Sequence, residues 1–286
     1  MTWPFFEHVR VINLDSRADR WAAMQAQFER LGVTGDIQRF AAVRPPADIG
    51  EQPQLAGLRE FLQRVDGDSE RLAAKLRSTW GCTQSHLGII RLAQSSGWPH
   101  VLILEDDCEF EPYTLPVLRR VAQQLQGQDW DMLYLGGTYK KGGRLQRFSA
   151  NLDDAGRIRL GHAYLVHQRL YQRILDEAEG CGLPIDWYYS EKLHPQVRSF
   201  LVRPVLAYQR LLDMSDIEAV VRKPEFKTRK ALRRLWSRLR YLAFWACVCC
   251  RCQVGANVCC AGCPPACSGG WRACCCWAAT SSISRG

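Results

Sequence analysis

Three consecutive carboxylates, Glu105-Asp106-Asp107, follow directly on the apolar run Val101-Leu102-Ile103-Leu104. The run reads as a buried strand, and three negative charges at its end resist desolvation unless a cation or a solvated loop relieves them. Alternate strand residues share a face, so Glu105 and Asp107 are expected to project together and Asp106 away from them. An acid-x-acid clamp of hard oxygens suits Mn²⁺ or Mg²⁺, which in turn hold the phosphates of a nucleotide. A solvated acidic loop after a core strand is the plainer reading of the same residues.

Two further clusters carry chemistry. Val9 to Leu14 reads as a first strand, followed by Asp15-Ser16-Arg17-Ala18-Asp19-Arg20 and a run in which Trp21, Met24, Phe28 and Leu31 recur at helical spacing up to Gly32. Asp15 or Ser16 is placed to cap this helix, while Arg17 and Arg20 sit in its first turn against the helix dipole. Either an anion lies nearby, phosphate or carboxylate, or the arginines pair with Asp15 and Asp19. The third cluster, Trp80-Gly81-Cys82-Thr83-Gln84-Ser85-His86-Leu87-Gly88, opens a helix that returns through Gly97-Trp98-Pro99 to the acidic strand. A lone histidine is more often structural than catalytic, but His86 and Ser85 here precede the carboxylates by one helix.

Taken together these blocks resemble glycosyltransferase family 25, which includes lipopolysaccharide and lipooligosaccharide core transferases and relatives of the collagen galactosyltransferases. The resemblance rests on Val11-Ile12-Asn13-Leu14 with Arg17, Asp19 and Arg20, on Gly81-Cys82 with Ser85-His86-Leu87, and on Leu102 to Asp107. Gly161-His162-Ala163-Tyr164-Leu165-Val166 and Leu183-Pro184-Ile185-Asp186 look like its later blocks. It implies a GT-A type, Rossmann-like α/β domain with a mostly parallel twisted sheet flanked by helices, and a nucleotide-sugar at the strand carboxyl ends. The residues agree: strand-like runs at Val9–Leu14, Val101–Leu104, Met132–Leu135 and Ala163–Val166 alternate with helical stretches. Met132 to Gly137 reads as a strand ending in glycines, where backbone can approach a ligand.

The implied reaction is metal-dependent inverting transfer of a hexose, galactose being favoured, from a UDP-sugar such as UDP-galactose to a saccharide or glycolipid acceptor of lipopolysaccharide or lipooligosaccharide core type. Glu105 and Asp107 are the expected ligands of Mn²⁺ or Mg²⁺, with His162 as a further ligand or a phosphate contact. Asn13, Arg17, Arg20, Ser85, His86 and Asp106 are candidates for holding the donor. Asp186 is the candidate base, beside Trp187-Tyr188-Tyr189, which can stack on a sugar; it also has the position of a helix N-cap. Glu191, Asp153 and Asp154 are rivals. Arg44 to Ser78, broken by Pro45-Pro46 and Pro53 and then helical at Leu55–Val65 and Leu72–Leu76, is an insertion able to shape a cleft or lid. Lys140-Lys141-Gly142-Gly143-Arg144 is a basic loop, open to an anionic acceptor or simply solvated.

Charge and cysteine divide the chain unevenly. Of 38 basic and 29 acidic residues, 222–286 holds 12 and one, leaving 26 against 28 before Arg222. The body before Arg222 is therefore mildly acidic, and the expected division is a catalytic domain at 1–215 followed by a basic amphipathic extension at 216–245. Within 222–245, Leu232, Leu235, Trp236, Leu239 and Leu242 line one face, suiting peripheral contact with an anionic membrane rather than nucleic acid. Eleven of 14 cysteines lie between Cys247 and Cys276. Without histidine and biased to Cys, Trp, Ala, Gly and Arg, 246–286 reads as a low-complexity tail, disordered or the product of a shifted reading frame. Few cysteines in the body and no apolar leader at Met1-Thr2-Trp3-Pro4 suggest a cytoplasmic protein at the inner face of a membrane. A non-catalytic nucleotide-sugar binder and a metal-dependent nucleotidyl or phosphoryl transferase are the alternatives.

Overall fold

A computed structural model describes residues 4–46, 48–67 and 71–210, with a few positions between 232 and 242. The chain divides into two units, Met1–Pro224 and Glu225–Gly286.

The first unit opens with a βαβ hand: β1 (His8–Asn13), α1 (Ala18–Leu31) and β2 (Asp36–Ala41), with β1 and β2 parallel. Helix α1 stops where expected, at Gly32 in the left-handed conformation (φ 65°). Its start differs from expectation. The N-cap position is Arg17 with no side-chain cap, because Asp15 is drawn 2.8 Å from Arg39 of β2. The insertion supplies α2 (Ala56–Asp66), and the expected helical runs at Leu72–Leu76 and Trp80–Ala93 fuse into a single 24-residue helix, α3 (Leu72–Ser95). There follow β3 (His100–Glu105), β4 (Cys108–Phe110), α4 (Thr114–Leu125) and β5 (Met132–Tyr134). The short strands β6 (Thr138–Tyr139), β7 (Leu145–Arg147), β8 (Leu152–Ala155) and β9 (Ile158–Arg159) precede β10 (Ala163–His167). Helices α5 (Tyr171–Ala178) and α6 (Ile185–Tyr188), then β11 (Ser199–Val202) and β12 (Ala207–Gln209), complete the unit.

Eight strands form one sheet in the order β2-β1-β3-β10-β5-β11-β8-β7. Six of them run in one direction and β10 and β8 run against it. This is the expected α/β sheet flanked by helices. Strands β1 and β3 read as continuous apolar runs because both faces are covered, with Val9, Val11, Val101, Leu102, Ile103 and Leu104 all inaccessible. Leu87, Ile89 and Ile90 of α3 join Val101 and Ile103 in the main core. The insertion makes a core of its own from Ile49, Leu55, Leu58, Phe61, Leu62 and Leu76. Each such side chain contributes about 1.5–3 kcal/mol by burial, enough to hold α2 against α3.

Glycine permits one close approach that matters for the site. A Cβ at Gly81 would lie 2.8 Å from the Val43 carbonyl oxygen. One turn on, Ser85 Oγ accepts from Val43 N at 2.8 Å, so α3 is pinned to the segment after β2. Gly81→Ala is expected to cost about 1–3 kcal/mol because backbone must move, read as a lower midpoint of thermal unfolding. By contrast, the glycines after β5 do not admit a ligand as the sequence suggested. A Cβ at Gly136 would strike Ala207 O and His162, and one at Gly137 would lie 2.7 Å from Ile158 Cγ2. Protein already fills that approach.

Of the second unit, the described residues 232, 234, 235, 238, 239, 241 and 242 are helical. Leu232, Leu235, Leu239 and Leu242 are all exposed. The expected tail, 246–286, lies outside the described residues.

Candidate active site

The acidic residues sit in the tight turn between β3 and β4, at the carboxyl end of the parallel strands. Both sides of the turn are clamped. Gln27 of α1 donates to Cys108 O at 2.9 Å and accepts from Phe110 N at 2.8 Å, while β12 pairs antiparallel with β4. Arg210 N adds a bond to Asp107 O at 2.8 Å.

The three carboxylates face different surroundings. Asp106 is buried, accepting from Asn13 Nδ2 at 2.8 Å and from Arg20 Nη1 at 3.1 Å. It therefore locks the acidic turn to β1 and α1. Glu105 turns to α3, with Oε1 3.5 Å from His86 Nε2 and Oε2 3.4 Å from Gln209. Burial alone would raise the Glu105 pKa; the approach of the His86 imidazole, with a smaller influence of His162, outweighs it and holds the group below the usual carboxylate value.

These residues floor a cleft of about 730 Å³, a size suited to a small-molecule ligand. Its walls come from the strand ends (Asn13, Ala42, Val43), the insertion (Phe61, Leu62, Lys75, Arg77) and the far side (Leu160, Gly161, Asp186, Trp187). The insertion thus does shape the cleft. Arg20, Ser85, His86, Glu105, Asp106, Asp107 and Asp186 line it too, whereas Arg17 and His162 are not among the described residues that do. Arg17 makes a two-pronged contact with Asp19 at 2.9 and 3.0 Å, the salt-bridge alternative. Ser85 is engaged by Gly81 O and Val43 N. His162 donates from Nε2 to Ala207 O at 3.1 Å, which leaves Nδ1 as the nitrogen for any metal.

Asp186 lines the same cleft as the acidic turn and lies close enough to Glu105 to feel its charge. It lies in the first turn of α6, whose N-cap is Pro184, so it is not itself the cap. Burial pushes its pKa up, and the charge of Glu105 adds to this; Arg159 and the Leu160 N–H pull the other way without cancelling it. Leu160 holds a left-handed φ of 78°, a strained conformation for a branched side chain, at the edge of the cleft. The rival bases are occupied elsewhere: Asp153 with Arg147 and Arg203, Asp154 with Arg144, and Glu191 with Arg157 and Arg159. Of the three aromatics after Asp186, Tyr188 and Tyr189 are core residues, and Trp187 alone lines the cleft, with Arg159 3.2 Å above its ring.

Residues that sequence reasoning did not assign are Cys82, Arg159, Leu160 and Gln209. Cys82 had a signal, its i,i+4 spacing to His86 on one helix face; the others are brought in by topology alone. Among the described residues, Cys82, His86 and Glu105 form a group whose ligand atoms all lie within 4.8 Å of one another. Mn²⁺ or Mg²⁺ would instead draw on oxygens, and Glu105 and Asp107, both lining the cleft while Asp106 is engaged by Asn13 and Arg20, fit that need.

Fold and site together define an α/β protein with its ligand cleft at the strand carboxyl ends, against an acidic turn. Residues 6–151 match Glycosyltransferase family 25 (LPS biosynthesis protein), and the chain belongs to this family. It is 33% identical over 132 residues to a Glycosyltransferase 25 family member of Drosophila pseudoobscura pseudoobscura, covering 46% of this chain and 20% of that protein. The family member of Aedes aegypti is 32% identical over 133 residues, 45% of this chain and 21% of that one. Procollagen galactosyltransferase 1 of Danio rerio is 29% identical over 133 residues, 46% and 21%. The match spans about a fifth of the length of these relatives. Among solved structures, mannose-1-phosphate geranyltransferase from Thermus thermophilus has a TM-score of 0.36 at 14% identity, covering 68% of this chain and 73% of that one.

Proposed function

We propose that the protein transfers galactose from UDP-galactose, with inversion, to a saccharide acceptor of lipopolysaccharide or lipooligosaccharide core type. The observation that carries this reading is that the Glu105–Asp107 pair and Asp186 line one cleft. Family membership supports the transfer chemistry, and the name of the Danio rerio relative supports galactose.

Held by Glu105 and Asp107, Mn²⁺ or Mg²⁺ would neutralise charge on the departing diphosphate. Asn13, Arg20, Ser85, His86 and the bound-in Asp106 shape the donor side, and Arg77 and Lys75 put positive charge on the insertion wall. Asp186 takes the proton from the acceptor hydroxyl as that oxygen attacks the sugar carbon from the face opposite the diphosphate. Its raised pKa makes it a stronger base than an ordinary carboxylate. Trp187 offers an apolar wall to one of the sugars.

The test is incorporation of label from radiolabelled UDP-galactose into deacylated core oligosaccharide with Mn²⁺ present. Label in an alkali-stable product is expected; none from a folded protein, with any core acceptor, contradicts the reading. The pH profile gives a second check. Because Asp186 must be ionised, the rate should fall as pH drops through a pKa raised above the ordinary aspartate value by burial. Arg159→Ala removes a charge that lowers this pKa and should move that acid limb to higher pH.

Among the described residues no helix is long and apolar enough to cross a membrane. For the second unit we propose peripheral contact through its exposed leucines, flanked by Arg234 and Arg238. Sedimentation with vesicles containing anionic lipid, weaker in neutral vesicles and in high salt, is expected; equal binding to both would contradict it.

A further inference from the structure

We infer that Cys82, His86 and Glu105 form a binding site for a Zn²⁺-class ion at the base of the cleft, distinct in its donor set from the oxygen pair Glu105–Asp107. Cys82 and His86 lie four residues apart on α3, so both project from one helix face towards the end of β3, where Glu105 stands. Their ligand atoms lie within 4.8 Å of one another. Thiol, imidazole and carboxylate are the donors of zinc sites, whereas Mn²⁺ and Mg²⁺ avoid sulfur.

The histidine carries a second, independent observation. His86 is completely buried, and its Nε2 makes no hydrogen bond within normal reach, facing the Glu105 carboxylate at 3.5 Å. Its Nδ1 is 2.8 Å from Tyr164 OH, which reaches Tyr189 OH at 3.3 Å. An imidazole anchored through one nitrogen with the other aimed at a carboxylate and a thiol has the outer-sphere support that metal-ligating histidines show. Gly161 leaves the approach clear, since even a methyl there would stand 3.6 Å from His86 Cε1 and 3.7 Å from Glu105 Oε1. Cys82, His86, Glu105 and Gly161 all line the cleft, so an ion held by the trio would border it.

Binding forms a sulfur–metal bond and releases the Cys82 thiol proton to solvent, one proton per ion. Because Glu105 belongs to both sets, an ion on the trio and an ion on Glu105–Asp107 would share that carboxylate. Zn²⁺ binding needs neither donor nor acceptor, so its absence would leave the transfer reading standing, and the reverse holds too.

The test uses the full chain with the eleven cysteines of 247–276 changed to serine, and Co²⁺ as a coloured stand-in for Zn²⁺. A thiolate-to-cobalt charge-transfer band saturating at one ion per chain and displaced by Zn²⁺ is expected. Cys82→Ser should abolish the band, Cys181→Ser should leave it unchanged, and Tyr164→Phe should weaken binding about tenfold or more through the loosened imidazole. No band, or one that survives Cys82→Ser, overturns the inference. Should Cys82→Ser fail to fold, alkylation of Cys82 in the unmodified chain, mapped by peptide mass, decides the matter: Zn²⁺ is expected to protect it, and no protection is contrary.

Discussion

Asp186→Asn should lower the rate of transfer by about 10²–10⁴-fold, the usual contribution of a positioned general base, while leaving donor affinity within a few-fold of the wild type. The carboxylate is singled out by its surroundings. Apart from the acidic turn it is the acid that lines the cleft among the described residues, and the rivals Asp153, Asp154 and Glu191 are each committed to arginines. Leu160, at φ 78°, supplies a backbone N–H to the Asp186 carboxylate. Single-turnover kinetics on Asp186→Asn, beside calorimetric donor titration, separates chemistry from binding. A rate close to that of the wild type would remove Asp186 from the mechanism; a parallel collapse of donor affinity would recast it as a binding residue.

Asp106→Ala should destabilise the first unit by about 3–5 kcal/mol, the usual cost of removing one partner of a buried ion pair. Arg20 and Asp106 are both buried, and Asp106 accepts from two donors at once, Arg20 Nη1 and Asn13 Nδ2. Asp106→Asn is expected to be nearly as costly, because one of the two donors would then face an NH₂. Urea unfolding followed by circular dichroism should show a lower midpoint at unchanged slope. An unchanged midpoint would mean that the Asn13–Asp106–Arg20 triangle contributes nothing to the fold and that these residues are kept for the ligand alone.

That triangle shows where sequence reasoning stops. The acidic run, the first strand and its arginine-bearing turn were legible because each is local: apolar strands ending in carboxylates, and a helix closed by Gly32. Which carboxylate turns inward is a tertiary matter, fixed when α1 packs beside β4 and delivers Arg20 and Gln27 to the turn. The same limit applies to α3. Local signals split it at Thr79 and Trp80, whereas packing of Leu76 against the insertion core and of Leu87 against the sheet joins the halves. The glycines after β5 misled for a related reason: sequence shows that backbone can be approached there, not by what, and the visitors are Ala207, His162 and Ile158. Cys82 is the opposite case, its spacing to His86 visible in the sequence but its meaning dependent on β3 ending beside that helix face.

A nucleotide-sugar is proposed to bind over the acidic turn through a divalent ion held by Glu105 and Asp107. Calorimetric titration of the chain with UDP-galactose, with and without Mn²⁺, and of Glu105→Gln and Asp107→Asn, tests it most directly. Binding that requires Mn²⁺ in the wild type and is lost in both variants is the predicted result. UDP-galactose binding of equal strength without Mn²⁺, or binding that both variants retain, would contradict it.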